Sequence, residues 1–322
     1  MVTPSPSAQL ESLRPDIKDA LMEFNLQMNL DRMIGLQVMP VLEVQEQGGT
    51  FPVVKREALL KVVDTARASG GGYKFAEYDF EDDNFATKEN GIVVPIDRRN
   101  AAIYSNFEME VHAGVFARSI VMTNHELRVA AKLFDTVTFT PTAAGHAWNS
   151  DSGEPIADVE GGMQRLYDKG VVGNAVVVGW KTFRNLRNNP SIIERITADG
   201  AGQPAKPEDV TTKMLAQVFG VEKFLVGGAQ YNSAKEGQPA VLAPVWSNSY
   251  AAVCRLFSSG GPITQGGFGR TMHWGGDGSS IDGTIETWYD KDIRGDKLRY
   301  RLETQEKVIF DDTVELISGV TT

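Results

Sequence analysis

One cysteine in 322 residues, Cys254, leaves no partner for an internal disulfide, which excludes a small disulfide-stapled secreted scaffold. Histidine is nearly as scarce, with four in the chain. His125-Glu126 begins like a zinc-protease helix, but Val129 stands where the second histidine ligand is required. Glu108 and His112, four residues apart, offer two ligands at most, short of the roughly four that a closed metal centre takes. Long apolar runs are missing as well. Gly91 to Val94 and Ala175 to Val178 fall far below the roughly 20 residues of a membrane span. The first ten residues carry neither a basic nor an apolar export region, so no signal peptide is expected.

The glycines do not fall into a phosphate cradle. No Gly-x-x-x-x-Gly-Lys sequence is present, and Gly227-Gly228, Gly260-Gly261 and Gly266-Gly267 follow no dinucleotide fingerprint. No Gly-x-Ser-x-Gly elbow occurs. Cys254 lies in the strand-like run Ala251-Ala-Val-Cys-Arg-Leu-Phe257, which suits a small buried hydrophobe better than a nucleophile paired with His273. Arg294-Gly295-Asp296 resembles an adhesion tripeptide, but a glycine between charged residues is also what a hairpin turn needs. A net charge of -10 argues against phosphate-neutralising nucleic-acid binding, which needs clustered lysine and arginine. No catalytic residue, cofactor or metal is assigned, and neither specific nucleic-acid binding nor a membrane contact is expected.

What is present is apolar material in ordinary amount, 42% of the chain, enough for one large core or two modest ones. Ile17, Ala20, Leu21, Phe24 and Met28 recur at helical spacing. Met22, Met28, Met33 and Met39 suit either an apolar surface that adapts to several neighbours or ordinary core. Gly35 to Val44 alternates and predicts a strand. From Gln45 to Asn90 periodicity fades, with Gly48-Gly49, Gly70-Gly71-Gly72 and an acidic run from Glu77 to Asp83 between short strand-like pieces. Such a stretch is improbable inside a compact domain, and it is read as a projecting β-hairpin arm.

Phe107, Val111, Val115, Met122, Val129 and Leu133 then mark one face of a long helix, with Ser105 and Glu108 as a possible capping box. After Trp148, helices are expected over 156–168, 183–187, 191–196 and 211–219, with strands at 175–178 and 222–226. The rest reads as β-rich: 240–246, 250–257, 281–289, 297–303 and 313–317. Leu298, Tyr300 and Leu302 alternate with Arg299, Arg301 and Glu303, as in a strand with one apolar face that returns beside the long helix.

This order of elements resembles that of the major capsid proteins of tailed phages, which share the Hong Kong 97-like fold, an α+β architecture. Carried over by position, the resemblance implies an N-terminal arm at 1–44 and an extended loop at 45–98. It implies a peripheral domain with a spine helix at 99–155 and 282–322, and an axial domain at 156–281. Within these, Asn106 to Phe134 would be the spine helix. Val171 to Trp180 with Leu186 to Pro190, Val218 to Asn232, and Gly267 to Trp274 are similar to successive segments of the family's axial domain and its return. The resemblance implies a non-enzymatic shell subunit, with the capsid of a virion as its location and the bacterial cytoplasm as its place of assembly. Its partners would be copies of itself in hexamers and pentamers, a separate scaffolding protein and a portal, with a decoration protein left open. Phe24, Met28, Met33, Phe51, Lys55, Tyr73, Tyr78 and Phe80 are the interface candidates. Lys55, Lys61, Lys74 and Lys88 match crosslinking lysines by type alone, and no crosslink is expected. An encapsulin-like nanocompartment shell is the alternative of the same fold.

Overall fold

The computed structural model describes residues 12–13, 29–54, 59–75, 80–97, 106–198, 206, 208–261 and 265–321. The amphipathic run from Ile17 to Met28 and the Ser105 cap lie outside them. The first elements are a short strand β1 (Ser12–Leu13), a 3-10 turn (Asn29–Arg32) and one helical turn α1 (Gly35–Val38). Only then comes β2 (Val41–Val44), so the first half of the predicted strand at 35–44 is helical. Pro40 pushes the residue before it out of the α region, which ends the turn at Val38. Wound this way, Ile34, Val38 and Met39 all enter the core.

β3 (Gly48–Val54) and β4 (Phe80–Ala86) pair antiparallel as a two-stranded ribbon. β5 (Lys88–Asp97) runs along β14 (Gly295–Val308) in a ladder of ten pairs. β14 organises a six-stranded sheet in the order β1-β13-β14-β12-β2, with β5 on the opposite edge of β14. β13 (Thr284–Asp290) joins it by a hairpin closing at Asp290 and Gly295. β12 (Gly269–Trp274) takes over beyond Thr304 and carries β2 parallel on its far side. At Gly295 a Cβ would stand 2.3 Å from the Ile96 carbonyl oxygen, so the glycine of Arg294-Gly295-Asp296 is explained by close strand approach.

The long helix α2 (Asn106–Leu133) has 28 residues and spans about 42 Å at 1.5 Å per residue. Its buried face holds Val111, Val115, Met122, Val129 and Leu133, as the spacing predicts. The upstream half packs on Ile96, Ile285, Leu298, Tyr300 and Leu302 of the six-stranded sheet. The downstream half joins a second core with Ile34, Val38, Met39, Trp246 and Phe268. One helix thus ties two cores together.

The second core lies under a five-stranded sheet, β6-β15-β11-β7-β8. It comprises β6 (Thr142–Ala143), β7 (Ala175–Gly179), β8 (Lys223–Gly227), β11 (Tyr250–Cys254) and β15 (Val314–Ser318). β7 is buried along its whole length, with successive side chains on opposite faces. Ala175 and Val177 face the core of α2, while Val176 and Val178 face the helices α3 (Pro155–Asp168), α4 (Trp180–Asn188), α5 (Pro190–Ala198) and α6 (Thr212–Val218). Asn189 separates α4 from α5: its amide donates to the carbonyls of Trp148 and Gly153, and its oxygen accepts from Ser191. Thr211 caps α6 by accepting from the Met214 amide.

Two expected strands shrink. Of 240–246 only β10 (Leu242–Pro244) is a strand, paired with β9 (Gln230–Asn232); the Val245 amide still bonds the Ala229 carbonyl, and beyond it Trp246 enters the core. The strand expected at 250–257 ends at Cys254, where the Asn174 side chain takes over the Leu256 amide.

Candidate functional site

Every described residue from Leu59 to Phe75, between the two strands of the ribbon, is exposed. Its apolar side chains have no core to enter. Val62 and Phe75 are each 95% exposed and Tyr73 77%, with Leu59 and Leu60 beside them. The local contacts are polar: Lys74 bridges Asp64 at 2.5 Å, and the Arg67 guanidinium sits 4.7 Å from the Tyr73 ring centre. Large apolar groups set in a row in water are uncommon on a lone soluble subunit.

The root of the ribbon is fixed to β14. Lys307 bridges Asp83 at 2.6 Å, Gln305 accepts from the Ala86 amide at 2.8 Å, and Thr87 donates to Glu303 at 2.8 Å. Phe51 and Phe85, ring centres 6.3 Å apart, pack against a small cluster of Phe257, Met272 and Ile309.

Beneath the root lies a buried polar group on α2. Arg128 forms a two-pronged bond to Glu306, at 2.8 and 2.9 Å. Burial pushes the Glu306 carboxyl up, and the bonds from Arg128 outweigh it, leaving the group below its ordinary 4.5. His125 is fully buried, and desolvation pulls it down to about 4, so it is neutral at neutral pH and its 3.6 Å approach to Glu306 is not an ion pair there. The Thr271 hydroxyl donates its one proton to the Met39 carbonyl, so His125 Nε2 carries the proton it shares with that hydroxyl, and Nδ1 is bare. Next to it, Glu126 accepts from the Gly35 amide at 2.6 Å and from the Trp246 indole at 2.8 Å. Burial pushes this carboxyl up to about 7 against those bonds.

No protein-family model matches the chain. In sequence it is 26% identical over 211 residues to the major capsid protein of Burkholderia phage BcepMu, a match covering 63% of this chain and 66% of that protein. In structure it is similar to a phage-related protein of Bordetella bronchiseptica, at 18% identity, with a TM-score of 0.71 over 96% of this chain and 98% of the other. Microbacterium phage Oxtober96 gives 0.56 at 12% identity over 89% and 90% of the two chains. The mature capsid of bacteriophage PhiM1 gives 0.55 at 13% identity over 87% and 85%. The chain has the Hong Kong 97-like capsid fold.

Within that α+β fold, the interface candidates from sequence fall into three groups. Phe24, Met28, Lys55 and Tyr78 lie outside the described residues. Met33 and Phe51 are half-buried against the subunit's own cores. Tyr73 and Phe80 are open, Phe80 at 55%. Sequence reasoning passed over Leu59, Leu60, Val62 and Phe75, although the pairs Leu59-Leu60 and Val62-Val63 in a segment without periodicity were a readable signal. Cys254 is buried in the five-stranded sheet, its thiol pushed up by desolvation, while His273 lies in the other sheet with Nδ1 on the Glu303 carbonyl. The two do not form a nucleophile and base. Among the described residues no group of three metal-ligating side chains occurs, and no helix is long and apolar enough to cross a membrane.

Proposed function

We propose that this chain is the major capsid protein of a tailed phage, a shell subunit that assembles with copies of itself into hexamers and pentamers. The observation that carries the reading is the capsid fold combined with the exposed apolar side chains of the arm, supported by the sequence likeness to a phage major capsid protein. In this reading residues 1–44 are the N-terminal arm, 45–98 the extended loop, 99–155 with 282–322 the peripheral domain, and 156–281 the axial domain. Assembly takes place in the host cytoplasm, guided by a separate scaffolding protein, with a portal at one vertex. Lys55, Tyr73, Tyr78 and Phe80, with Leu59, Val62 and Phe75, are the contacts through which the loop grips a neighbour. Each contact is modest alone, and closure of a ring multiplies them. The acidic balance suits a container, since a wall carrying negative charge does not hold DNA moving past it. An encapsulin-like shell would share this fold, and the sequence likeness to a phage protein favours the phage reading over it.

The test removes Pro52 to Asp82 and closes Phe51 to Asp83, which are register partners, with an Asn-Gly turn. Phe51, Phe85 and the Lys307 bridge to Asp83 remain. Co-expressed with its scaffold, the full chain is expected to give uniform closed shells in negative stain. The deletion should give a subunit that unfolds cooperatively but does not assemble. Normal shells from the deletion, or a full chain that stays monomeric beside the scaffold, would refute the reading.

A further inference from the structure

We propose that Glu126 is a proton-operated catch that sets how firmly residues 29–44 are held to the body of the subunit. The geometry comes first. Glu126 is 1% exposed, projects from α2, and places one oxygen on the Gly35 amide of α1 and the other on the Trp246 indole. Three segments distant in sequence therefore meet on one carboxyl group.

Among the described residues it has no salt-bridge partner. On its own helix His125 is neutral and Arg128 is committed to Glu306. The turn before α1 carries Asp31 and Arg32, and the Arg32 guanidinium stacks on Trp180. α1 has no titratable residue, and neither do Ser247 and Asn248 after Trp246. On β12, Arg270 donates to the carbonyls of Ser258 and Gly261, and His273 faces the Glu303 carbonyl. An ionised Glu126 is thus a buried charge with hydrogen bonds and no counter-ion, which burial penalises steeply.

The remaining ties of residues 29–44 are insensitive to protons near neutrality: Thr271 holds the carbonyls of Met39 and Pro40, the Gly228 amide donates to Arg32, and β2 pairs with β12. Glu126 therefore biases the segment without carrying it alone. When the segment lifts, the carboxyl reaches water and regains an ordinary value near 4.5, against about 7 in place. The closed form binds the proton more tightly, so opening grows as pH rises through 7 and does not change below 4.5. The opening constant rises about tenfold between pH ~6 and pH ~8 by linkage.

The experiment is amide hydrogen exchange on the full, unassembled chain across that range, with exposure times scaled for the intrinsic rate. Peptides within 29–44 should open about tenfold more at the alkaline end in the wild type. In Glu126→Gln the slope should vanish. A flat wild-type profile, or a variant that keeps the slope, overturns the proposal. Should Glu126→Gln fail to fold, Trp246→Phe removes one donor to the ionised form, so the midpoint must move upward, and an unmoved midpoint is equally fatal. The proposal depends on the subunit's fold and stands apart from the shell reading.

Discussion

Replacing Arg128 by Met is the perturbation whose size the structure fixes best. The guanidinium makes two bonds to Glu306, whose side chain is only 6% exposed, and a longer one of 3.4 Å to the Asn90 side-chain oxygen. Methionine keeps the helix propensity and the apolar stem, so what is lost is the charge, its two bonds to Glu306 and the long one to Asn90. Glu306 then keeps a bond from the Thr304 hydroxyl and a neutral imidazole 3.6 Å away, neither of which replaces a cation. An uncompensated buried charge costs about 3–5 kcal/mol. The pH dependence has a definite sign. In the wild type the Glu306 carboxyl sits below 4.5, so its pairing contributes stability present above that value and lost as pH falls through the lower folded value. In the variant, burial alone acts and raises the group, so protonation relieves the strain. The difference between the two proteins is therefore largest near neutrality and shrinks on acidification. Urea unfolding of the unassembled subunit at about pH 7 and pH 4 measures both effects. Adding Glu306→Gln should recover most of the loss, since removing both charges leaves none stranded. A loss under about 1 kcal/mol, or no recovery in the double variant, would show that the pair is solvated and the reasoning wrong.

Gly227→Ala is expected to destabilise by about 3 kcal/mol, because the new Cβ would stand 2.1 Å from Trp246 Cγ and β8 must move. Gly72→Ala, in the exposed arm with nothing within 4 Å, should stay within about 0.5 kcal/mol, and equal urea midpoints for the two variants would contradict the packing described. The Cys254 thiol, buried and pushed up by desolvation, should react with a disulfide reagent only as fast as the subunit unfolds. Labelling of the native protein at the rate of an open thiol would place β11 at the surface.

The long helix and the buried strand β7 were legible because each announces itself locally: α2 by a 3.6-residue period, and β7 by an unbroken apolar run. The N-terminal turn was not, since Gly35 to Val44 alternates like a strand and only Pro40 hints that its first half winds up. β5 escaped for another reason. Its partner β14 lies about 200 residues away, and a strand pattern does not reveal whom it pairs with. The exposed stretch inside the ribbon coincides with the failure of any period in the sequence. Tyr73 was a candidate, while Leu59, Leu60, Val62 and Phe75 were missed, because without a period no local signal separates a solvent-facing apolar side chain from a core one. Glu126 appeared in the sequence only as half of a failed zinc motif. Its meaning comes from Trp246, 120 residues on, and no local signal announces that meeting.

The ten-pair ladder between β5 and β14 has a mechanical consequence. β5 follows the ribbon after a single residue, Thr87, so tension on the loop enters the body of the subunit through that strand. A pull along β5 loads its cross-strand bonds side by side, and none can yield until many yield together. Peeling from one end would break them in sequence, at far lower force. The Thr87 and Lys307 ties sit at the end where peeling would begin and hold that end closed. A subunit pulled through its ribbon thereby resists as a woven fabric does, by stretching fibres that run along the line of strain.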